Sequence, residues 1–174
     1  MMLGSLQMKK PLDVNGGLSF EAFDLEDFLP YRLSVAAENV SRLIIRDHLA
    51  DSGLTMAEWR LVAAVGRFGV ISPTAAGAYA AMDKVKVSRA AASLVAQGLL
   101  RQTQDPEDGR GRLLRLTRKG SAVYAAVVPT AGAIEATLME SLTRTERSVL
   151  HKALAKLSAQ ATAILEPDEI EEEG

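Results

Sequence analysis

The sequence contains no cysteine. That excludes disulfides, thiolate metal sites and any sensor that works by oxidising a thiol. Histidine is nearly as scarce: His48 and His151 are the two, more than a hundred residues apart. Neither has the spacing of a metal cluster, so no metal is expected, and both read as surface or interface residues. No apolar run reaches the roughly 18 residues that a membrane helix needs. Met1 to Gly17 has two lysines followed by polar and turn residues, a poor signal peptide. A glycine-rich phosphate loop, a Ser-His-Asp set and metal-ligand spacing are all missing, which predicts no enzyme and no cofactor. The expectation from these absences is a soluble cytoplasmic protein without a membrane partner.

The 174 residues that remain to be explained suit one domain with extensions. Hydrophobic residues make up 48% and charged residues 24%, enough to build a core. Alanine occurs 27 times against four Phe, three Tyr and one Trp, which favours helices. The net charge of -2 hides an asymmetry. Between Asp83 and Lys119 nine basic side chains face four acids, whereas Glu166 to Glu173 holds six acids and no base. A basic middle on a weakly acidic chain is compatible with nucleic acid.

Residues 1–27 carry Pro11, Gly16 and Gly17 without a sustained period and read as a loose arm. Leu29, Leu33, Ala37, Val40 and Ile44 then recur every three or four residues, which predicts a helix from Phe28 to Ala50, ended by Gly53. Thr55-Met56-Ala57-Glu58 has the spacing of a capping box and opens a second helix. Ser72-Pro73 opens a short, alanine-rich third helix. Lys84 to Gln97 forms a fourth, with Val87, Ala91 and Leu94 inward. The period then shortens. Leu99 to Gln104 and Arg112 to Leu116 read as strands about the turn-rich segment Asp105 to Gly111. Thr117 caps a fifth helix, which Pro129 is expected to kink, and Thr143 to Glu146 is a second capping box for a sixth. Residues 166–174 form an acidic tail.

The order predicts a mainly α fold with a small β-hairpin wing: a winged helix-turn-helix lobe over residues 54–117, joined to a helical body made of residues 28–50 and 118–165. In such a lobe the second helix of the pair enters the DNA major groove and the wing reaches the backbone or minor groove. The fourth helix offers Lys84, Lys86, Ser88, Arg89 and Ser93 for this, and the wing offers Arg110 and Arg112. Strand alternation sets Arg115 on the opposite side from Arg112. Ser72 and Thr74 are first of all caps, with phosphate contact as a second use. Trp59 reads first as core and second as a ligand platform. Tyr31 and Arg32 are either interface residues or part of an anion pocket.

Four stretches together resemble the MarR family of bacterial transcriptional regulators: Leu54-Thr55 to Trp59-Arg60, Met82 to Arg89, Asp105 to Arg110, and Leu114 to Gly120. The resemblance spans residues 28 to 165. It implies a homodimer built on the first, fifth and sixth helices, and a wing arginine, Arg110 here, that enters the minor groove beside a pairing acid, Asp108. It also implies release of DNA by a small, often aromatic, anion lodged between the helical body and the DNA-binding lobe. The third helix departs from the family pattern at Ala76, Gly77 and Ala81, and the lack of cysteine separates the chain from the peroxide-sensing branch. The function expected is thus a dimeric, sequence-specific DNA-binding regulator, most simply a repressor on a pseudo-palindromic operator. The alternative is a winged-helix protein-interaction module that does not bind DNA.

Overall fold

The computed structural model describes residues 23–106 and 111–165. Its chain forms two units, Met1–Glu38 and Asn39–Gly174. In the first, the rings of Phe23 and Phe28 meet edge to face with centroids 5.2 Å apart, just before helix α1, Leu29–Ile44. The Phe28 carbonyl accepts from the amides of Tyr31 and Arg32, closing the first turn. No residue of α1 is buried.

In the second unit the end of α1 differs from the expected plain helix to Ala50. The backbone widens into a π-helical turn at Ile45–Leu49 and then tightens into a 3-10 turn at Ala50–Ser52, with Gly53 left-handed at φ 67°. Such widened turns reposition side chains, and here His48 and Leu49 are the two that become buried. Helix α2, Met56–Phe68, starts on the expected capping box: Glu58 N–H donates to Thr55 Oγ1 at 3.3 Å, and Thr55 N–H donates to Glu58 Oε2 at 2.8 Å. Helix α3, Pro73–Ala80, starts on Ser72, which accepts from the Ala75 amide at 3.1 Å. Helix α4, Lys84–Ala96, starts on Asp83, and α5, Arg118–Met139, starts on Thr117. Each cap satisfies an amide that the first helical turn leaves without a partner.

Three strands, not two, complete the lobe. β2 (Leu100–Gln104) and β3 (Arg112–Leu116) pair antiparallel with Leu100 opposite Leu116 and Gln104 opposite Arg112, as the hairpin reading requires. β1, Val70–Ile71, adds to the other edge of β3, giving the order β1-β3-β2. Two residues are too short to show alternation, so this strand has no periodic signal. Leu61, Val62, Val65, Leu94, Leu100 and Leu114 are all fully buried and form the centre of the core. At Gly120 the start of α5 passes so close to the hairpin that a Cβ would lie 2.0 Å from the Leu99 carbonyl oxygen.

Helix α5 runs unbroken through Pro129. Contrary to the expectation that no apolar run is long enough, this helix is by length and composition apolar enough to cross a membrane, although Ser121, Thr130 and Glu135 interrupt its apolar residues. Val127 is buried against the core, with Val123 and Tyr124 half-buried beside it. Helix α6, Arg144–Leu165, opens on the second expected capping box, with Thr143 and Glu146 reciprocally bonded. None of its residues is buried, and Val149, Leu150, Leu154 and Leu157 stand exposed.

The turn between α3 and α4 carries backbone strain. Ala81 has φ 51°, the one positive φ at a non-glycine residue among those described. A Cβ there costs roughly 1–2 kcal/mol, while the greater freedom of glycine in the unfolded chain returns part of that, ~0.4–1 kcal/mol. Ala81→Gly is therefore expected to stabilise the chain by about 0.5–1 kcal/mol, raising the melting temperature by about 2–3 °C in a thermal scan.

Candidate nucleic-acid interface

The position of α4 is set from behind by a buried carboxylate. Glu58 is 6% exposed, and both its oxygens are doubly engaged. Oε2 accepts from the amide and hydroxyl of Thr55, each at 2.8 Å. Oε1 accepts from the Ser93 hydroxyl at 2.6 Å and from the Gln97 amide at 2.9 Å. The group that caps α2 thus also holds the middle and end of α4. Burial pushes the Glu58 pKa up, but the hydrogen bonds from Ser93, Thr55 and Gln97 outweigh it and hold the carboxyl below its ordinary value.

Sequence reasoning found Glu58 as a cap and missed its grip on α4. It also counted Ser93 among the outward residues. The Ser93 side chain is half-buried and its one hydrogen is committed to Glu58, so it braces the helix. The two residues lie 35 apart in sequence, beyond any local pattern.

Along α4, Lys84, Lys86, Ser88 and Arg89 are all exposed, with Lys86 and Arg89 on the side of Thr55 and Glu58 and Lys84 and Ser88 on the side of α3 and β2. Asp83 accepts from the Lys86 amide at 2.8 Å, and this bond above all lowers its pKa. The Lys86 ammonium rests 3.2 Å from the same carboxylate, in an open pair with both side chains well exposed. Such a pair contributes little and opens readily to a phosphate. At the start of α3, Thr74 is exposed and Ser72 is half-buried with its oxygen used as a cap. A groove of about 440 Å³ runs between α3, α4 and β2, with Thr74, Lys84, Ser88 and Gln102 on its walls. Gly77 lies at its base, where a Cβ would come within 2.9 Å of Val87, so this small residue permits the close crossing of α3 and α4.

Arg112 is exposed at the far end of β3, on the same face as Leu114, and Arg115 points to the other side. Asp108 and Arg110, the expected wing pair, lie outside the described residues. Lys119, part of the basic count, donates to the Gln97 carbonyl at 3.0 Å and so secures the end of α4.

Of the expected pocket residues, Tyr31 and Arg32 are exposed on α1 in the first unit, and Trp59 is half-buried on α2 in the second. Trp59 lines two cavities. One of about 500 Å³ also includes Gly66, Arg67, Tyr79 and Tyr124. The other, about 140 Å³, includes His48, Ile134 and Leu138. His48, expected at the surface or an interface, is instead buried within the chain, edge-to-face with Trp59 at 5.1 Å. It lies four residues after Ile44, so continuing the apolar stripe of α1 by one step reaches it.

Residues 52–111 match the model of the MarR family. No curated protein matches the chain. Among solved structures, a probable transcriptional regulator from Pseudomonas aeruginosa is 27% identical with a TM-score of 0.71, over 77% of this chain and 99% of that one. BpsR from Bordetella bronchiseptica, whose DNA binding is regulated by 6-hydroxynicotinic acid, is 29% identical with a TM-score of 0.67, over 74% and 97%. A mutant MarR from E. coli, solved with operator DNA, shares the fold at 23% identity and a TM-score of 0.69, over 74% and 92%.

The Glu58 network makes a prediction that needs no DNA. Glu58→Ala removes a cap and strands Ser93 and Gln97, at an expected cost of about 2–3 kcal/mol in urea unfolding. Because the folded pKa lies below the ordinary 4.5, this stabilisation is full above that value and is lost as pH falls through the depressed one. Acid titrations of stability are expected to be flatter for Glu58→Gln than for the natural chain.

Proposed function

We propose that this chain, whose residues 52–111 match the MarR family model, is a homodimeric, sequence-specific transcriptional regulator. It works in the cytoplasm as a repressor on a pseudo-palindromic operator and is released by a small-molecule effector. The observation that carries this reading is the setting of α4. A saturated buried carboxylate holds the helix through Ser93 and Gln97, and its N-terminal half exposes Lys84, Lys86, Ser88 and Arg89. A helix held this firmly presents base-reading side chains at a defined angle. Thr74, Ser72 and Arg112 flank it as phosphate contacts, and Arg110, paired with Asp108, reaches the minor groove.

Dimerisation follows from what α6 leaves open. Its exposed Val149, Leu150, Leu154 and Leu157 form an apolar face that supports association with a second copy. A second copy covers it and sets two recognition helices about 34–36 Å apart, one helical turn of DNA. An effector acts by favouring a different separation, and only as far as its affinities for the two states differ. Trp59 is the residue of the second unit proposed to receive it, and Tyr31 and Arg32 are separate candidates on the first. Light scattering at low micromolar concentration is expected to give twice 18.6 kDa, and selection from random duplexes to return inverted repeats. A monomer that selects no sequence favours the interaction-module reading instead.

The two kinds of DNA contact are separable. Lys86→Ala and Arg89→Ala are expected to cost about 1–3 kcal/mol each and to relax preference at one base step per half-site. Arg110→Ala is expected to weaken binding most on sites with A·T-rich flanks, whose narrow minor groove attracts a guanidinium. It should also flatten the slope of log K against log salt by up to about one unit. Fluorescence anisotropy on one operator and its flank variants, across a salt series, reads both effects.

A further inference from the structure

The chain leaves α4 through a doubly closed exit. The helix first closes on itself: the amides of Gln97, Gly98 and Leu99 donate to the carbonyls of Ser93, Val95 and Leu94, with Gly98 left-handed at φ 71°. The carbonyls of Gln97, Gly98 and Leu99 lie beyond that closure, and each is taken by the first turn of α5. Lys119 Nζ donates to Gln97 at 3.0 Å, the Thr117 hydroxyl to Gly98 at 2.7 Å, and the Thr117 amide to Leu99 at 3.0 Å. The Thr117 oxygen also accepts from the Gly120 amide at 3.0 Å, so the cap of one helix is a clasp on the other. Gly120 permits the approach, because a Cβ there would meet the Leu99 carbonyl oxygen at 2.0 Å.

Capping α5 needs only the bond from Gly120 to Thr117. The three bonds to the exit of α4 are additional, and they end on main-chain carbonyls, which cannot swing away as side chains do. Gln97 ties the junction to the rest of the lobe: its carbonyl takes Lys119, while its side chain donates to Glu58 and Ser93. The Lys119 ammonium also sits where the dipole of α4 is negative, the favoured place for a cation. Beyond the junction α5 runs unbroken from Arg118 to Met139, a rod of about 33 Å at 1.5 Å per residue.

We propose that Thr117, Lys119 and Gly120 are positioning residues that fix which half-site spacing the protein accepts. They act through α4: by joining its exit to the first turn of α5 they make the two helices one rigid lever. The separation of two recognition helices is then dictated by how two α5 rods are set in the dimer. A flexible junction would instead let each α4 find its own groove, and spacing would matter little. None of the three residues touches a base in this scheme. The consequence for DNA rests on the regulator reading above, whereas the rigidity of the junction stands on its own bonds.

The test compares the natural chain with Lys119→Met, Thr117→Val and Thr117→Ser. Each is titrated on an operator selected from random duplexes, on that operator with one base pair inserted between its half-sites, and on a duplex with a single half-site. One inserted pair turns the half-sites about 34° apart. Lys119→Met and Thr117→Val are each expected to shrink the insertion penalty by about two- to tenfold, the worth of one net hydrogen bond. Thr117→Ser keeps the hydroxyl and is expected to keep the penalty, and single half-site affinity is expected to stay the same throughout. Lys119 is exposed, so its variant keeps the fold even if Thr117→Val does not. A second readout needs no DNA. The chain has no cysteine, so Val85→Cys, on the exposed side of α4, carries one spin label per protomer. Dipolar spectroscopy is expected to give one narrow distance, broadened by Lys119→Met. An insertion penalty or a distance distribution that no variant changes would overturn the proposal. So would weaker single half-site binding by Lys119→Met with a salt slope smaller by about one unit, which makes that ammonium a phosphate contact. If the natural chain selects no DNA sequence, the regulator reading falls and the label distances still decide the junction. If DNA is bound at inverted repeats whatever their spacing, the regulator reading stands and the junction proposal falls.

Discussion

One carboxylate organises the DNA-binding lobe. Glu58 closes the first turn of α2 through Thr55 and reaches across to Ser93 and Gln97 on α4. A buried charge with an open lone pair would cost several kcal/mol, and one with every lone pair engaged is held in one geometry. The orientation of the recognition helix is therefore fixed by polar contacts that have a direction. The apolar core beneath it, Leu61, Val62, Val65 and Leu94, supplies most of the stability but tolerates sliding far better than a four-way hydrogen-bond set does. The N-terminal half of α4 then exposes Lys84, Lys86, Ser88 and Arg89.

The parts of this arrangement that were legible in the sequence are those written locally. Both capping boxes span four residues, and each appears where Thr and Glu predict it. The hairpin follows from the change of period and the turn residues between its strands, and it forms in the register that pairs Leu100 with Leu116. The inward stripe of α4 is Val87, Ala91 and Leu94, as its spacing requires. What was illegible depends on partners far apart in the chain. Ser93 is polar and reads as outward until Glu58 is set opposite it. His48 reads as an isolated histidine until Thr130, 82 residues later, is brought to its ring. β1 exists because β3 offers it an edge, and two residues cannot announce that alone. The left-handed turn at Ala81 is hidden for a similar reason. The α3–α4 connection demands that conformation, and alanine adopts it without a local signal.

Glu58 and Trp59 are neighbours on the first turns of α2, and consecutive residues on a helix point about 100° apart. One faces α4, and the other faces the His48 cavity and α5. The same helical turn therefore belongs both to the network that holds α4 and to the wall of the cavity that His48 and Trp59 line. A ligand that pressed Trp59 aside would act on the turn whose amides Thr55 and Glu58 cap. The resulting movement would not spread evenly, because a saturated carboxylate either keeps its partners or exchanges them for others. Small shifts at packed, hydrogen-bonded junctions are converted in this way into a choice between discrete arrangements. The junction needs no long pathway: α2 is the one element shared by both, so a group that favoured one setting of α2 would also favour the α4 orientation that goes with it, and by linkage the reverse would hold with equal free energy.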